Sequence, residues 1–493
     1  MRTTSKGFWN KISSGVAVKD EWDDFAVSRP FDEIEESPAE AALDSLRRAR
    51  QRARQAGRYL VVLLKQLFLA TFIGIVAGVV GAAFQLAIRT SSEFFLANDA
   101  AGTGGGSFRV LFLLPFAGLA IVALYKACRL TVDAGTDQAI DSLTDEKKAS
   151  LWLAPAIFAS STLTQLFGGS AGREGAALQL GGSVGLAAGK LFRLKRNEFH
   201  VAVLCGMSGG FAAVFGAPLT ASIFALEIAC VGVVYYPALL PSLVSATIGA
   251  SFAAAFGFPP FSYTLAPFPG VSVALLVRAL VLGVCCGLVC VFFCSAIRRV
   301  SSTFKRRFPN DYFRAAFGGL CVAAATVLLG TNAYNGTGFL NVQTALDGKS
   351  LPWDFLLKTL FTAVTLGAGF KGGEIVPSLA VGATFGSVAG SALGLDASQG
   401  AALGMIAVFC GATNCPLTAL ALSAELFGAQ NALIFAIVCG TSYMTSGQFG
   451  LYRSQKILFS KLTAEPFDVR LRETFQKDLK VLETRMSAKK NVK

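Results

Sequence analysis

Histidine is almost absent from this sequence, since His200 is the only one in 493 residues. The eleven cysteines are scattered through apolar segments, and no two of them form a Cys-x-x-Cys pair. Zinc sites, haem sites and histidine-based catalytic triads use such ligands, so we expect no metal, no cofactor and no enzyme of these classes. Cys286, Cys290 and Cys294 share one helical face and are interpreted as small packing residues rather than a disulfide framework.

Charged residues are also scarce, at 15% of the chain, against roughly 25% in soluble domains. Residues 59–88 contain one charge, Lys65, and residues 271–297 contain only Arg278. Each segment exceeds the roughly 20 residues that a helix needs to cross a bilayer. Similar but often shorter runs follow along the chain. The sequence therefore predicts an all-α polytopic membrane protein with about ten or more membrane helices, several of them too short to span completely.

The net charge of +13 comes from basic residues that gather beside the apolar runs, as in RRARQRARQAGR, residues 47–58. This placement is typical of cytoplasmic loops and does not favour nucleic-acid binding. It predicts a multi-pass protein of the cell membrane with a cytoplasmic N-terminus. We expect a cytosolic N-terminal extension over residues 1–58, a transmembrane domain over 59–460 and a short cytosolic tail over 461–493.

Two pairs of motifs recur at nearly the same separation. Residues 215–228, FGAPLTASIFALEI, and residues 413–427, TNCPLTALALSAELF, share Pro-Leu-Thr-Ala followed by a glutamate, and their prolines are 198 residues apart. GREGA and GGEIVP place Glu174 and Glu374 200 residues apart. Chance similarity between apolar helices can mimic one such pair but seldom both. We therefore predict two inverted-topology repeats, at about residues 59–258 and 271–460.

Glycines and prolines precede several of the predicted helices, which indicates re-entrant or broken helices. Duplicated transporters commonly point the N-termini of such helices at an anionic ligand near the middle of the membrane. Each helix start offers unpaired backbone N–H groups and a partial positive charge. The alternative is that the glycines only allow close helix packing, which explains one motif better than four motifs in symmetric positions.

GGSAGREGAALQLGG, its partner GGEIVPSLAVGATFG and the two Pro-Leu-Thr-Ala helices together resemble the CLC anion channels and transporters. The resemblance covers roughly residues 58–461. FGGSAGREG, the Gly-Gly-Glu before Ile375, and GLYRSQ near the end are most similar to the fluoride-exporting members. The resemblance implies a homodimer in the lipid bilayer, with one pathway for halide anions and protons in each subunit.

The resemblance also assigns roles to particular residues. Glu174 would be the gating glutamate, and Glu374 would match the second glutamate of the fluoride-type members. Tyr452 would present its hydroxyl to the anion, and residues 133–143 would form the first anion loop, with Thr136 near the site. The backbone around the two helix starts completes the predicted anion-binding set: Gly172, Arg173, Gly175, Gly373 and Ile375. For Arg173 a packing role is the stronger alternative, and Glu227 and Glu425 are interpreted as structural, linking to loops or to the other subunit.

This sequence departs from the family pattern in several places. The first loop lacks the serine-centred GSGIP of chloride members and has Thr136 where fluoride members have asparagine. Ala176 replaces the usual proline or threonine, and Leu180 stands where fluoride members tend to have methionine. The inner proton-transfer glutamate of chloride/proton exchangers would fall at Ile228. These differences leave the transported ion open and do not favour a copy of the chloride-exchanger proton path.

We therefore expect halide transport, as proton-coupled antiport of fluoride or chloride with a glutamate gate. A passive chloride channel of the same fold is the nearest alternative, and a cation-coupled permease for organic solutes is a more distant one. An intramembrane enzyme finds no support, because the sequence has no HExxH arrangement and no histidine placed beside a serine nucleophile. Glu174 and Glu374 could form a protease-like carboxylate pair only if the two residues were adjacent.

Overall fold

The computed structural model describes residues 38–98, 109–131, 135–137, 140, 150–266, 268, 270, 272–457 and 461. The predicted extension before residue 38, parts of the first anion loop and the tail after Lys461 lie outside the described residues. The first half of the chain forms seven α-helices in the described part: α1 (Pro38–Asn98), α2 (Leu114–Ala127), α3 (Leu153–Leu166), α4 (Glu174–Leu191), α5 (Arg196–Phe215), α6 (Pro218–Glu227) and α7 (Leu239–Ala255).

The described part of the second half contains eight α-helices. Its helices are α8 (Val273–Arg307), α9 (Asp311–Leu329), α10 (Phe339–Leu346), α11 (Asp354–Ala368), α12 (Ile375–Ala392), α13 (Ala397–Thr413), α14 (Pro416–Phe427) and α15 (Ala432–Thr445). Two short strands, β1 (Cys230–Val231) and β2 (Lys456–Ile457), pair in parallel. Six of the described helices are long and apolar enough to cross a membrane, and several others are shorter apolar helices.

The chain divides into two compact units. In the described residues, the first is the part of α1 that ends at Leu69, where Leu60 and Phe68 are exposed. The second runs from Ala70 to Ile457 and includes Lys461. The helix is continuous from Pro38, so the predicted boundary after residue 58 lies inside α1.

Each half contains a long apolar run that is broken into two helices, and the two breaks lie at equivalent places. Between α5 and α6 the chain turns at Gly216, whose φ is +75°, before Pro218 begins the next helix. Between α13 and α14, Asn414 adopts a φ of +59° before Pro416. Proline is suited to the first turn of a helix and unsuited to its interior. Each break therefore creates a new helix N-terminus inside an apolar run.

Glycines also allow helices to pack closely, which is the alternative role considered for them in the sequence analysis. A Cβ atom on Gly181 of α4 would collide with the backbone oxygen of Gly206 on α5, and one on Gly382 of α12 with that of Gly404 on α13. Small residues allow such close backbone approach between membrane helices. Gly181 and Gly382 thus serve helix packing. The glycines before α4 and α12 are described below.

Glu227 and Glu425 connect the two halves. The Glu425 carboxylate, in the last turn of α14, accepts hydrogen bonds from the Thr220 N–H (2.8 Å) and hydroxyl (2.5 Å) at the start of α6. The Glu227 carboxylate, in the last turn of α6, accepts from the Thr418 N–H (2.9 Å) and hydroxyl (2.7 Å) at the start of α14. The two helices are therefore antiparallel, and each is capped by the other. Each glutamate thus contacts a helix of the opposite half of the same chain. The sequence interpretation expected contacts with loops or with the other subunit instead.

We expect Glu227→Ala to destabilise the protein by about 3 kcal/mol and Glu425→Ala by about 2 kcal/mol, because each change leaves helix N–H groups and a threonine hydroxyl without an acceptor. The Glu227 effect is larger because Glu227 is only 6% exposed, whereas Glu425 is half-buried. Thermal unfolding in detergent measures both. Glu93→Ala, which breaks an exposed ion pair with Arg89, is the control and should shift the midpoint little. Equal shifts in all three variants would contradict the capping role.

Candidate functional site

The two halves meet where α4 and α12 begin. Gly172 and Gly373 form an antiparallel bridge, in which the Gly172 N–H donates to the Gly373 oxygen (2.6 Å) and the Gly373 N–H donates to the Gly172 oxygen (2.7 Å). Helix α4 starts two residues after one glycine and α12 two residues after the other. The two N-termini therefore lie side by side, and each adds a partial positive charge to the junction.

Side chains at this junction would separate the helix starts. A Cβ atom on Gly373 would lie 2.6 Å from the backbone nitrogen of Gly175, and one on Gly175 would lie 2.9 Å from the Thr136 hydroxyl oxygen. Both distances are shorter than real Cβ contacts. Glycine at these two positions thus allows the two helix starts and Thr136 to approach one another closely.

Glu174 is fully buried at the start of α4. Its carboxylate folds back over the helix start, so that the Arg173 N–H donates to Oε2 (3.0 Å) and the Arg173 side chain lies 3.4 Å from Oε1. A Cβ atom on Gly172 would be 3.0 Å from the same Oε2. The carboxylate thus occupies the partially positive junction, where an inorganic anion would also be stabilised.

Arg173 has two roles in this arrangement. Besides its contact with Glu174, its guanidinium lies over the rings of Phe261 and Phe339, at 5.6 Å and 5.1 Å from the ring centroids. It also borders an open cavity of about 390 Å³, the first cavity, which is lined in part by Arg89 and Glu93 near the end of α1. Arg173 is therefore both a packing residue and the link between the first cavity and Glu174.

Glu374 precedes α12 and is half-buried. Its carboxyl oxygen lies near Gly175 and beside the buried Thr136 hydroxyl. Asp137, the neighbour of Thr136, accepts a hydrogen bond from the Ser454 N–H (3.0 Å). This contact joins Thr136 and Asp137 to the segment that carries Tyr452.

Tyr452 is 4% exposed, and its hydroxyl has no hydrogen-bond partner in the described part of the chain. The Thr136 hydroxyl, although beside Glu374, also meets no partner with hydrogen-bond geometry among those residues. A buried hydroxyl without a partner is costly unless a ligand or water satisfies it. Tyr452 borders a second cavity of about 270 Å³.

The structure thus brings the sequence-predicted residues to one place. Four segments that are far apart in the chain supply two helix starts, two carboxyl groups and two hydroxyls, on residues 136, 172–175, 373–375 and 452. Ile375 is buried and can offer only its backbone to the junction. No group of three or more histidine, cysteine or acidic side chains suited to a metal occurs among the residues described. Two helix N-termini beside a carboxyl group can bind an anion in competition with that carboxylate.

The sequence profile described as "Voltage gated chloride channel" matches residues 116–447, which is more than half of the chain. The chain belongs to the CLC family. The family consists of anion channels and transporters, not enzymes, and the CLC fold confirms the predicted all-α membrane architecture.

Several known CLC proteins are similar to this chain. The "Chloride/fluoride channel protein" of Pseudomonas syringae pv. tomato is 34% identical over 404 residues, 80% of this chain and 87% of the relative. The "H(+)/Cl(-) exchange transporter ClcA" of Vibrio cholerae is 27% identical over 390 residues, 73% of this chain and 81% of the relative.

Solved CLC structures share the fold. The crystal structure of a CLC-type fluoride/proton antiporter is 30% identical, covers 80% of this chain and 98% of its own, and gives a TM-score of 0.75. A slow cyanobacterial Cl⁻/H⁺ antiporter, at 21% identity, covers 84% and 98% with a TM-score of 0.67. This CLC protein is therefore a multi-pass membrane protein.

The sequence interpretation missed one polar group behind the junction of this CLC protein. Lys358 of α11 is fully buried, and its ammonium donates to the Ser170 hydroxyl (3.1 Å) and to the backbone oxygens of Tyr334 (3.1 Å) and Gly336 (3.0 Å). Ser170 lies two residues before Gly172. A lone cation within an apolar run is unusual in a membrane, and that signal could have identified it.

Proposed function

We propose that this CLC protein is a proton-coupled halide antiporter in which Glu174 is the gate. One observation carries the proposal: the Glu174 carboxyl is completely buried at the junction of two helix N-termini. A halide and a carboxylate are stabilised at such a place for the same electrostatic reason, and they therefore compete for it. Protonation removes the charge of Glu174 and releases the place to the anion. Anion movement is thereby linked to proton movement.

The other site residues have supporting roles in this proposal. The hydroxyls of Thr136 and Tyr452 donate to the anion in the pathway, in place of the hydration that it loses. Glu374 takes up or passes on a proton in this proposal, and its half-buried carboxyl, which lies near Gly175 at the junction of the helix starts, supports that role. The N–H groups around Gly175 and Ile375 form the backbone part of the anion site.

Fluoride is the proposed ion, with chloride as the second candidate. The relative from Pseudomonas syringae pv. tomato is a chloride/fluoride channel protein, and one similar structure is a fluoride/proton antiporter. The Gly-Gly-Glu before Ile375 also supports fluoride. The departures at Thr136 and Leu180 are the reason that chloride remains a candidate.

We also propose the cell membrane as the location, a cytoplasmic N-terminus and a homodimer with one pathway in each subunit. The basic residues before and within the first part of α1 support the orientation, and the family resemblance supports the dimer. Chemical cross-linking of purified protein in detergent tests the dimer, and a protease or cysteine label applied to intact cells tests the side of the N-terminus.

Flux measurements in proteoliposomes test the proposed function. We expect faster fluoride efflux than chloride efflux, and an imposed proton gradient should drive fluoride uphill. Purely downhill flux that ignores the proton gradient would assign a passive channel. A protein that moves neither halide, but accumulates an organic solute with a cation gradient, would be a cation-coupled permease. Protein-free liposomes and an unrelated membrane protein are the controls.

A further inference from the structure

Lys358 is fully buried in α11, and all of its hydrogen bonds are with residues outside that helix. An ammonium has three N–H donors. The three acceptors are the Ser170 hydroxyl and the carbonyl oxygens of Tyr334 and Gly336, so that every donor is used. Burying a charge is costly unless hydrogen bonds offset the cost. The lysine is therefore bound firmly to two other parts of the chain.

The first of these parts is the turn 168–171, which joins α3 to the start of α4. The Ser170 hydroxyl lies 3.1 Å from the Thr362 hydroxyl oxygen as well, and the Ser170 N–H donates to the Thr365 hydroxyl (3.2 Å). Both threonines follow Lys358 on α11, and spacings of four and three residues place the three side chains on one helical face. One face of α11 therefore holds the turn that leads into the junction of the helix starts.

The second part is the loop 334–338, which precedes α10. Its Gly336 N–H donates to the Gly169 oxygen (3.1 Å), and the Asn335 side-chain amide donates to the Gly168 oxygen (2.6 Å). The loop belongs to the second half of the chain and the turn to the first half. The buried ammonium thus bonds to two segments that also bond directly to each other.

The end of the loop leads to the arginine beside the gate. A Cβ atom on Gly338 would lie 3.0 Å from the Lys358 Cε atom, so the lysine side chain packs against the loop as well as bonding to it. Phe339 follows directly and begins α10. Its ring centroid lies 5.1 Å from the Arg173 guanidinium, which also contacts the gating carboxylate.

We infer that Lys358 is a positioning residue for the gate. It fixes the turn 168–171 and the loop 334–338 against each other, and it thereby holds Glu174 and its partner Arg173 at the junction of the helix starts. This inference rests on the proposed gating role of Glu174.

Two routes connect the buried ammonium to the gate. One follows the backbone of the turn, since Ser170 lies four residues before Glu174. The other passes from the loop through the Phe339 ring to Arg173. A carboxyl group excludes halide only while it is held at the junction, and such groups depend on the residues that support them. Loosening either route therefore lets halide pass without exchange of a proton.

Flux through Lys358→Met in proteoliposomes tests this inference. Methionine is similar in length but donates no hydrogen bond, so the turn and the loop lose their common partner. We expect the number of protons moved per halide to fall about threefold. A purely structural defect would reduce the amount of folded protein and both fluxes together, and it would leave this ratio unchanged. Thr359→Val is the matched control, because the buried Thr359 hydroxyl donates within α11, to the Phe355 oxygen (2.7 Å). It should keep the wild-type ratio.

Ser170→Ala is the second variant, and it decides the matter if Lys358→Met does not fold. It removes one of the three acceptors and should lower the ratio in the same direction by a smaller factor. The double variant should lose less than the product of the two single effects, because the residues act through a shared hydrogen bond. A wild-type ratio in both single variants would overturn the inference, and so would independent effects that multiply in the double variant.

Hydrogen–deuterium exchange in detergent makes the test independent of transport. The amides of Gly172 and Gly373 form the bridge between the helix starts. Peptides that contain them should exchange about tenfold faster in Lys358→Met and at the wild-type rate in Thr359→Val. If the wild type moved halide without protons, the proposed antiport would fail, whereas faster exchange would still support Lys358 as the residue that holds the helix starts. Unchanged exchange would overturn the inference whatever the fluxes.

Discussion

Proton flux through Glu174→Gln should fall to the background of protein-free liposomes, while halide still moves down its gradient. Glutamine matches the protonated acid in shape but cannot exchange a proton. The neutral side chain no longer competes electrostatically with an anion for the junction of the helix starts, so anion movement loses its link to protons. The measurement is simultaneous recording of external pH and halide, with and without an imposed proton gradient.

Asp347→Asn is the matched control for this experiment, because it is the same acid-to-amide change at an exposed position near the end of α10. It should leave both fluxes unchanged. Unchanged proton flux in Glu174→Gln would remove Glu174 from its proposed role. Glu374→Gln should slow proton movement less than Glu174→Gln, since Glu374 is half-buried and Glu174 is enclosed at the junction.

Much of the architecture was predictable because duplication leaves a pattern that apolar composition alone does not. Two motif pairs at nearly one offset indicated that Glu174 and Glu374 occupy equivalent helix starts. The helical breaks before Pro218 and Pro416 were also predictable from the sequence, since glycine or asparagine followed closely by proline interrupts a helix for local steric reasons. These features depend on near neighbours in the chain.

Contacts between the halves could not be predicted in the same way. Nothing in the sequence around Glu227 specifies that its carboxylate meets Thr418, because the two residues are brought together only when α6 and α14 pack antiparallel. The partners of Lys358 and the link between Asp137 and Ser454 are equally distant along the chain. The family resemblance named residues of the site, but only the fold gives the contacts among them.

Gly373→Ala should reduce halide transport to background even though the change adds a single methyl group. Its Cβ atom would be 2.6 Å from the backbone nitrogen of Gly175 and 3.1 Å from the Gly175 Cα atom. Both contacts are with backbone, which cannot rotate away as a flexible side chain can. The start of α12 must therefore move away from the start of α4, and the two hydrogen bonds of the Gly172–Gly373 bridge lengthen or break.

The loss would come from geometry, because the substitution removes no charge and no side-chain ligand. Gly440→Ala tests this distinction: Gly440 lies within α15 and a Cβ atom there would meet nothing within 4 Å. It should transport normally and be as stable as the wild type or slightly more stable, since alanine favours a helix over glycine by up to about 1 kcal/mol. Halide efflux and thermal unfolding of both variants measure the two effects separately. Normal efflux through Gly373→Ala would mean that the adjacent helix starts do not form the anion site, because separating them would then have no consequence for the ion.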